Sequence, residues 1–381
     1  TSTPFRISFF GGGTDYPAWY QQHGGAVLAT TINKYCHITC RYLPPFFEHK
    51  HRIVYSHIEM VREINEIKHP AVRAILDWAN CDKGLEIHHD GDLPARSGLG
   101  SSSSFTVGLI NALAALDGKY VTKEALARNA IHVEQQVIRE NVGSQDQISA
   151  AFGGFNRIEF KTNDTFQVTP VILRKDRLRE LQNHLLLCFT GFSRIASDIA
   201  KSKIDNFKQR EAELHRMREM VDEAIHLLQD YQNPIDAFGK LLHENWLYKR
   251  SLSDRVSTPE IDVIYEDAIS AGATGGKILG AGGGGFLLLF VKPELQQRVR
   301  FHGAVSATYT PHCARIDPAR LTRGLARADV SPDEVAGDSI EKIWMSAVET
   351  FAIGGGCQIL LATDFNIAAR DAYMTLPARK E

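Results

Sequence analysis

The stretch PARSGLGSSSSF, residues 94–105, places two glycines around a leucine and follows them with four serines. It then runs directly into the apolar segment FTVGLINALAAL, residues 105–116. A flexible linker shares this composition, but a linker does not enter an apolar helix. Phe105, Leu109, Ala112, Leu113 and Leu116 recur at helical spacing. A glycine-rich turn feeding a helix N-terminus is a ready anion site: the first backbone N–H groups have no intrahelical partner, and the helix dipole adds positive potential. Glycine lets the backbone come close to a ligand, and the serines at 101–104 carry hydroxyls that can cap the helix or reach a metal. An ordinary serine-capped helix start is the other reading these residues allow. No Gly-Lys-Ser/Thr closes the turn, so it is not a Walker A loop. Ser103 stands where the dinucleotide fingerprint needs its third glycine.

Around this loop lie 381 residues, enough for two domains and part of a third. Apolar residues at 44% and charged residues at 23% mark a globular chain able to bury a sizeable core. Lys plus Arg (43) nearly balances Asp plus Glu (45), which leaves no global basic field for nucleic acid or an anionic membrane. No run of eighteen apolar residues suggests a membrane span. The N-terminus shows no signal-peptide pattern, and, since Thr1 is not Met, residues are expected upstream. The six cysteines are scattered without a C-x-x-C pair, which suits free thiols in a reducing cytoplasm.

Residues 1–10 alternate like a strand, and GGGTDYP breaks them. GGAVLATTINKYCHITCRYL reads as strand, with Cys36, Ile38 and Cys40 on one face. HPAVRAILDWA and TKEALARNAIHVEQQVIRE read as helices, and FNRIEF and LLLCFTG as strands. From about 195 the pattern turns helical, with Leu214, Met217, Val221, Ala224 and Leu228 in one core-facing stripe. KILGAGGGGFLLLFV then turns on glycines into an apolar strand.

Three further features carry chemistry. Glu134 shares a helix face with Leu126, Ala130, Val137 and Ile138. A buried carboxylate is costly unless satisfied. A bound Mg²⁺, which takes one or two carboxylates plus substrate phosphates, or a salt bridge to an arginine would satisfy it. Asp146 sits in NVGSQDQISAAFGG between glycines, where loops carry function. The GAGGGGF turn implies very close backbone approach, to a ligand or to another loop. His88, His89, Asp90 and Asp92 do not suggest a metal site, because adjacent strand residues point to opposite faces.

Three motifs occur in order: PFRISFFGGGTDYP at 4–17, LPARSGLGSSSSF at 93–105 and GGKILGAGGGGFLLLF at 275–290. With them the chain, to about residue 300, resembles the small-molecule kinases of the galactokinase, homoserine kinase, mevalonate kinase and phosphomevalonate kinase (GHMP) superfamily. FRISFFGGGTDYPAWYQQHGGAVLATTI, GSQDQISAAFGGFNRIEF and FTGFSRIASDI are most similar to its heptose kinases, which act on D-glycero-α-D-manno-heptose 7-phosphate; fucokinase-like enzymes are the near alternative. The resemblance implies an α+β, two-lobed fold. Residues 1–180 would form a ribosomal-protein-S5-like ATP-binding lobe, 181–300 a ferredoxin-like α/β lobe, and 301–381 a foreign tail.

It also implies roles. Ser97, Gly98, Leu99, Gly100, Ser101, Ser102 and Ser103 would cradle ATP, the co-substrate. Ser102 (or Ser101 beside it) and Glu134 would hold Mg²⁺. Asp146 would act as base on the sugar's anomeric hydroxyl or orient it, with Arg6 as its counter-ion. Gly12, Gly13, Thr14, Asp15, Gly282 and Gly283 would meet the sugar, and Arg194 its 7-phosphate through bidentate bonds. Expected partners are a sugar phosphate and ATP, with no nucleic acid or membrane, in the cytoplasm. A non-catalytic binding protein on the same fold is the alternative of another class; Glu134 and Asp146 argue against it.

The kinase pattern stops after about Arg300. Residues from about 340, including FAIGGGCQILLATDFNIAA, resemble a truncated piece of the crotonase (enoyl-CoA hydratase) superfamily, in which that turn supplies an oxyanion donor. Most of such a domain has no counterpart here, so acyl-CoA chemistry is not expected. The tail is expected to stay loosely ordered rather than patch the sheet edge left by the missing kinase terminus.

Overall fold

Strand β1 (Ser2–Phe10) pairs antiparallel with the 18-residue β2 (Gly25–Tyr42). Alternation normally marks a strand with one wet face, yet every β1 residue except Ser2 is buried. Phe5, Ile7 and Phe9 enter the core, while Arg6 and Ser8 line a partly open cavity. The computed structural model describes residues 1–191, 196–300 and five short strands further on, at 313–315, 345–348, 351–353, 365–368 and 373–375.

The first sheet adds β3 (His51–Val54), β4 (Ile58–Val61), β5 (Leu85–Gly91), β6 (Phe155–Phe160) and β7 (Phe166–Pro170), in the order β4-β3-β5-β2-β6-β7 with β1 beside β2. Its helices are α1 (Pro17–His23), α2 (Pro70–Trp78), α3 (Ser101–Leu116), α4 (Lys123–His132) and α5 (Gln145–Phe152). Sequence patterning does not foresee β3, β4, β7 or α1. Helix α1 is short and starts at a proline, the residue whose fixed φ suits a first helical turn. The helix expected through residue 140 changes at Val133–Val137 into a π turn, a form often found at functional sites.

The second sheet is antiparallel: β8 (Leu185–Phe189), β9 (Ala273–Ile278), β10 (Phe286–Val291) and β11 (Cys313–Arg315), in the order β11-β8-β10-β9. With it go α6 (Lys175–His184), α7 (Ala196–Asn206), α8 (Glu211–Gln229), α9 (Asp236–Ser251) and α10 (Pro259–Ser270). The expected stripe on α8 is buried, joined by Met220. Phe238 of α9 meets Phe9 and Phe10 of β1 edge-on, with centroids 5.6 and 5.2 Å apart, a favoured aromatic geometry. Both sheets therefore contribute to one hydrophobic core.

By contacts the chain divides into Thr1–Ala328 and Asp329–Glu381. Three residues of the tail, β11, do take the free edge of β8, because that edge offers unpaired N–H and C=O groups to any extended segment that reaches it. In the second unit, Met345–Val348 pairs in parallel with Phe365–Ala368, and Phe351–Ile353 with Tyr373–Thr375. The glycines of the FAIGGGCQ turn lie outside the described residues. No helix among the described residues is long and apolar enough to cross a membrane.

Candidate active site

Arg6, projecting from β1, holds Asp146 with two hydrogen bonds: Nε donates to Oδ1 and Nη2 to Oδ2, each at 2.7 Å. Its Nη1 donates to the Gly98 carbonyl at 2.6 Å. The planar guanidinium thus fixes the carboxylate's orientation and ties it to the glycine loop. Asp146 lies in the first turn of α5, not in a loop as its flanking glycines suggest. The residues on either side of it anchor two further carboxylates. Gln145 Nε2 donates to Asp15 Oδ2 at 2.9 Å, and Gln147 Nε2 to Glu134 Oε2 at 2.5 Å. Asp15 also accepts the Gly13 N–H at 2.9 Å. It is fully enclosed, and burial raises its pKa.

The glycine loop meets these groups at Gly100. This residue is the N-cap of α3, in the left-handed region at φ 75°, and no side chain caps the helix. The serines therefore leave the helix start open, which favours anion binding over a capped start. Ser101, Ser102 and Ser103 line the same cavity, of about 290 Å³, as Arg6, Asp15 and Asp146. Gly98, Gly100, Gly12, Gly13 and Gly282 line it too.

Other expected residues stand behind this surface. Ser97 and Leu99 are buried; their carbonyls accept the N–H groups of Phe286 and Arg6, each at 3.0 Å. The Thr14 hydroxyl donates to the carbonyl of Gly11, 2.8 Å away. The Gly283 N–H donates to the Val256 carbonyl at 2.8 Å. Arg194 lies outside the described residues.

The third motif's glycines approach another loop. A Cβ on Gly98 would sit 2.7 Å from the Leu279 carbonyl oxygen, and one on Gly280 would sit 2.7 Å from the Gly98 Cα. The two glycine loops are packed backbone on backbone.

Glu134 lies in the π turn and is fully buried. Ser103, not Ser102, donates its hydroxyl to Glu134 Oε2 at 2.9 Å, and the Thr106 hydroxyl also stabilises the carboxylate. Its Oε1 has no partner. Burial pushes its pKa up to about 7. No cation pairs with it among the described residues, so the arginine alternative finds no support there. His88 bonds Glu86 at 2.8 Å and His89 packs edge-on to Phe105, as separate faces of β5 require.

Sequence reading missed three lysines that line the cavity: Lys203 of α7, Lys249 of α9 and Lys277 of β9. All three are buried. Lys249 Nζ donates to the carbonyls of Ile278 (2.5 Å) and Gly280 (2.8 Å). Lys277 Nζ donates to the Phe9 carbonyl (2.8 Å) and to Asn245 Oδ1 (3.2 Å). Burial pushes Lys277 down to about 7 and Lys203 down to about 8, and holds Lys249 well below its ordinary value. The arrangement as a whole offers open helix N–H groups and enclosed lysines, which an incoming anion would hold in the charged form, around a clamped carboxylate; this suits an anionic ligand beside a hydroxyl to be activated.

Comparison with known proteins agrees with this chemistry. Residues 63–154 match the GHMP kinases N terminal domain, and residues 205–303 the GHMP kinases C terminal domain. A D-glycero-alpha-D-manno-heptose 7-phosphate kinase of Campylobacter jejuni is 31% identical over 303 residues, covering 77% of this chain and 89% of the relative. A bifunctional fucokinase/GDP-fucose pyrophosphorylase of Arabidopsis thaliana is 26% identical, covering 78% of this chain and 31% of that protein. Among solved structures, a D-glycero-D-manno-heptose 1-phosphate kinase from Bacteriodes thetaiotaomicron superposes with a TM-score of 0.67 at 22% identity, over 83% of this chain and 94% of that one. The chain belongs to the GHMP kinase family and is a phosphotransferase whose acceptor is an alcohol group.

Proposed function

We propose that the protein transfers the terminal phosphoryl group of ATP to the anomeric hydroxyl of a sugar phosphate. The acceptor is D-glycero-α-D-manno-heptose 7-phosphate and the product the 1,7-bisphosphate, a step toward nucleotide-activated heptose for surface polysaccharide, carried out in the cytoplasm. The observation that carries this reading is the Arg6-clamped Asp146 beside the uncapped N-terminus of α3 in one cavity. The Campylobacter relative supports the heptose acceptor; the Arabidopsis relative keeps a fucokinase-like acceptor as the second reading.

Phosphoryl transfer asks little covalent chemistry of a protein, and positioning and charge do most of the work. In this reading the N–H groups at the start of α3 hold the nucleotide phosphates. Asp146 accepts the proton of the attacking hydroxyl or orients it, and Arg6 holds its two oxygens in place. Asp15, with Gly12 and Gly13, binds sugar hydroxyls. The donor types suit Mg²⁺: Glu134 Oε1 is a buried carboxylate oxygen with no hydrogen-bond partner among the described residues, and Ser102 lines the cavity, which Glu134, bonded to the cavity residue Ser103, does not itself line. These two residues would hold the ion, which would neutralise phosphate charge. ADP release with Mg²⁺-ATP and a panel containing the heptose 7-phosphate, the free heptose and L-fucose tests the proposal. Turnover is expected chiefly with the heptose 7-phosphate. Preference for fucose would favour the second reading, and release with no sugar would overturn both.

A further inference from the structure

Among the described residues, Lys203 is the cavity lysine with no committed acceptor. Its neighbours Lys249 and Lys277 each donate to two fixed oxygens. Lys203 is 4% exposed, and among the described residues its ammonium makes no hydrogen bond and no ion pair. The ring of Tyr16 lies beside it, its centroid 5.3 Å from Nζ. Its side chain is enclosed while the residue lines the cavity, and an ammonium in such a place, with no anionic or carbonyl partner, is only partly solvated. That deficit is removed when a ligand brings an anion to it.

The position says which anion. Lys203 follows Ser197 and Ala200 along α7, and all three line the cavity, as spacing by threes on one helix face allows. The carboxylates whose charge Lys203 feels are Asp15 and Asp146, the acceptor-side pair. The nucleotide's phosphates have the open N–H groups at the start of α3. A cation beside Asp15 and Asp146 is left to serve the acceptor.

We propose that Lys203 binds an anionic phosphate carried by the acceptor and so sets the enzyme's preference for phosphorylated over unphosphorylated sugars. This rests on the sugar-kinase reading of the same cavity. It assigns the contact to a residue of α7 in addition to the expected Arg194.

The test compares kcat/KM for D-glycero-D-manno-heptose 7-phosphate with that for the heptose lacking its phosphate. Wild type, Lys203→Met and Lys203→Arg are measured at saturating Mg²⁺-ATP. Methionine keeps the length of the side chain without its charge. The preference for the phosphorylated sugar is expected to fall by about 10- to 100-fold in Lys203→Met, as for one enclosed charged hydrogen bond lost, mainly through KM. Lys203→Arg should keep most of the preference. An unchanged preference in Lys203→Met would overturn the assignment, whether activity falls for both sugars or for neither. If wild type turns over neither sugar, the heptose-acceptor reading fails on its own. Calorimetric titration of inorganic phosphate, with the non-hydrolysable ATP analogue AMPPNP bound, then decides the Lys203 contact. Weaker phosphate binding in Lys203→Met supports it, and equal binding overturns it.

Discussion

Asp146 owes its place to its neighbours in sequence and to one distant arginine. Gln145 and Gln147 secure Asp15 and Glu134, and Arg6 secures Asp146. Removing its charge should therefore damage the chemistry more than the architecture. Asp146→Asn is expected to lower kcat by about 100- to 10,000-fold, the usual worth of a general base, with little change in ATP affinity; steady-state kinetics and nucleotide titration check this. Lys277 makes a different residue-scale case. Burial lowers its folded pKa from 10.5 to about 7, so between those values the unfolded chain holds this proton more often than the folded one. The group's contribution to stability therefore rises with pH across that window. Lys277→Met lacks this dependence. Denaturant unfolding at pH 7 and pH 9 should show wild type gaining about 2–3 kcal/mol relative to the variant. No such gain would mean the ammonium is better solvated than its surroundings suggest.

At the scale of elements, the decisive contact is between the turn before α3 and the turn between β9 and β10. Gly98 has φ 78° and faces the Leu279 carbonyl. Gly98→Ala would add strain of about 1–2 kcal/mol for the left-handed backbone as well as a clash. The variant is expected to melt several degrees lower and to lose nucleotide binding, by thermal melting and titration. How much of this was legible beforehand follows from the physics of each part. Both glycine loops are visible because glycine at such density has few other uses, and Glu134 because a charge on an apolar helix face needs explaining. Asp146 stands out by its glycine-flanked stretch, but Arg6 and the pairing of the two come through family resemblance; their separation of 140 positions gives no local signal. The three lysines were missed because surface and buried lysines look alike in sequence, and only packing of α7, α9 and β9 encloses them. The π turn and α1 were missed because hydrophobic periodicity is a poor guide to single irregular turns.

For the whole molecule, the match to the GHMP kinases C terminal domain ends at residue 303, while β11 at 313–315 completes the second sheet. Chains ending after 300 and after 328 should both bind ATP, since among the described residues the cavity lining ends at Gly284. The shorter one should melt lower and aggregate more readily, because it uncovers the edge of β8. Loss of nucleotide binding in a folded 1–328 chain would place part of the site in the tail. The backbone seam between the two glycine loops has a consequence for inheritance as well. Ser97 and Gly98 come from one half of the chain, Leu279, Gly280 and Phe286 from the other, and neither side has room for a side chain at the contact. Each loop is therefore the other's mould. A chimera that takes one lobe from a distant relative would inherit half a mould, and would regain a working phosphate pocket only when both motifs are transplanted together.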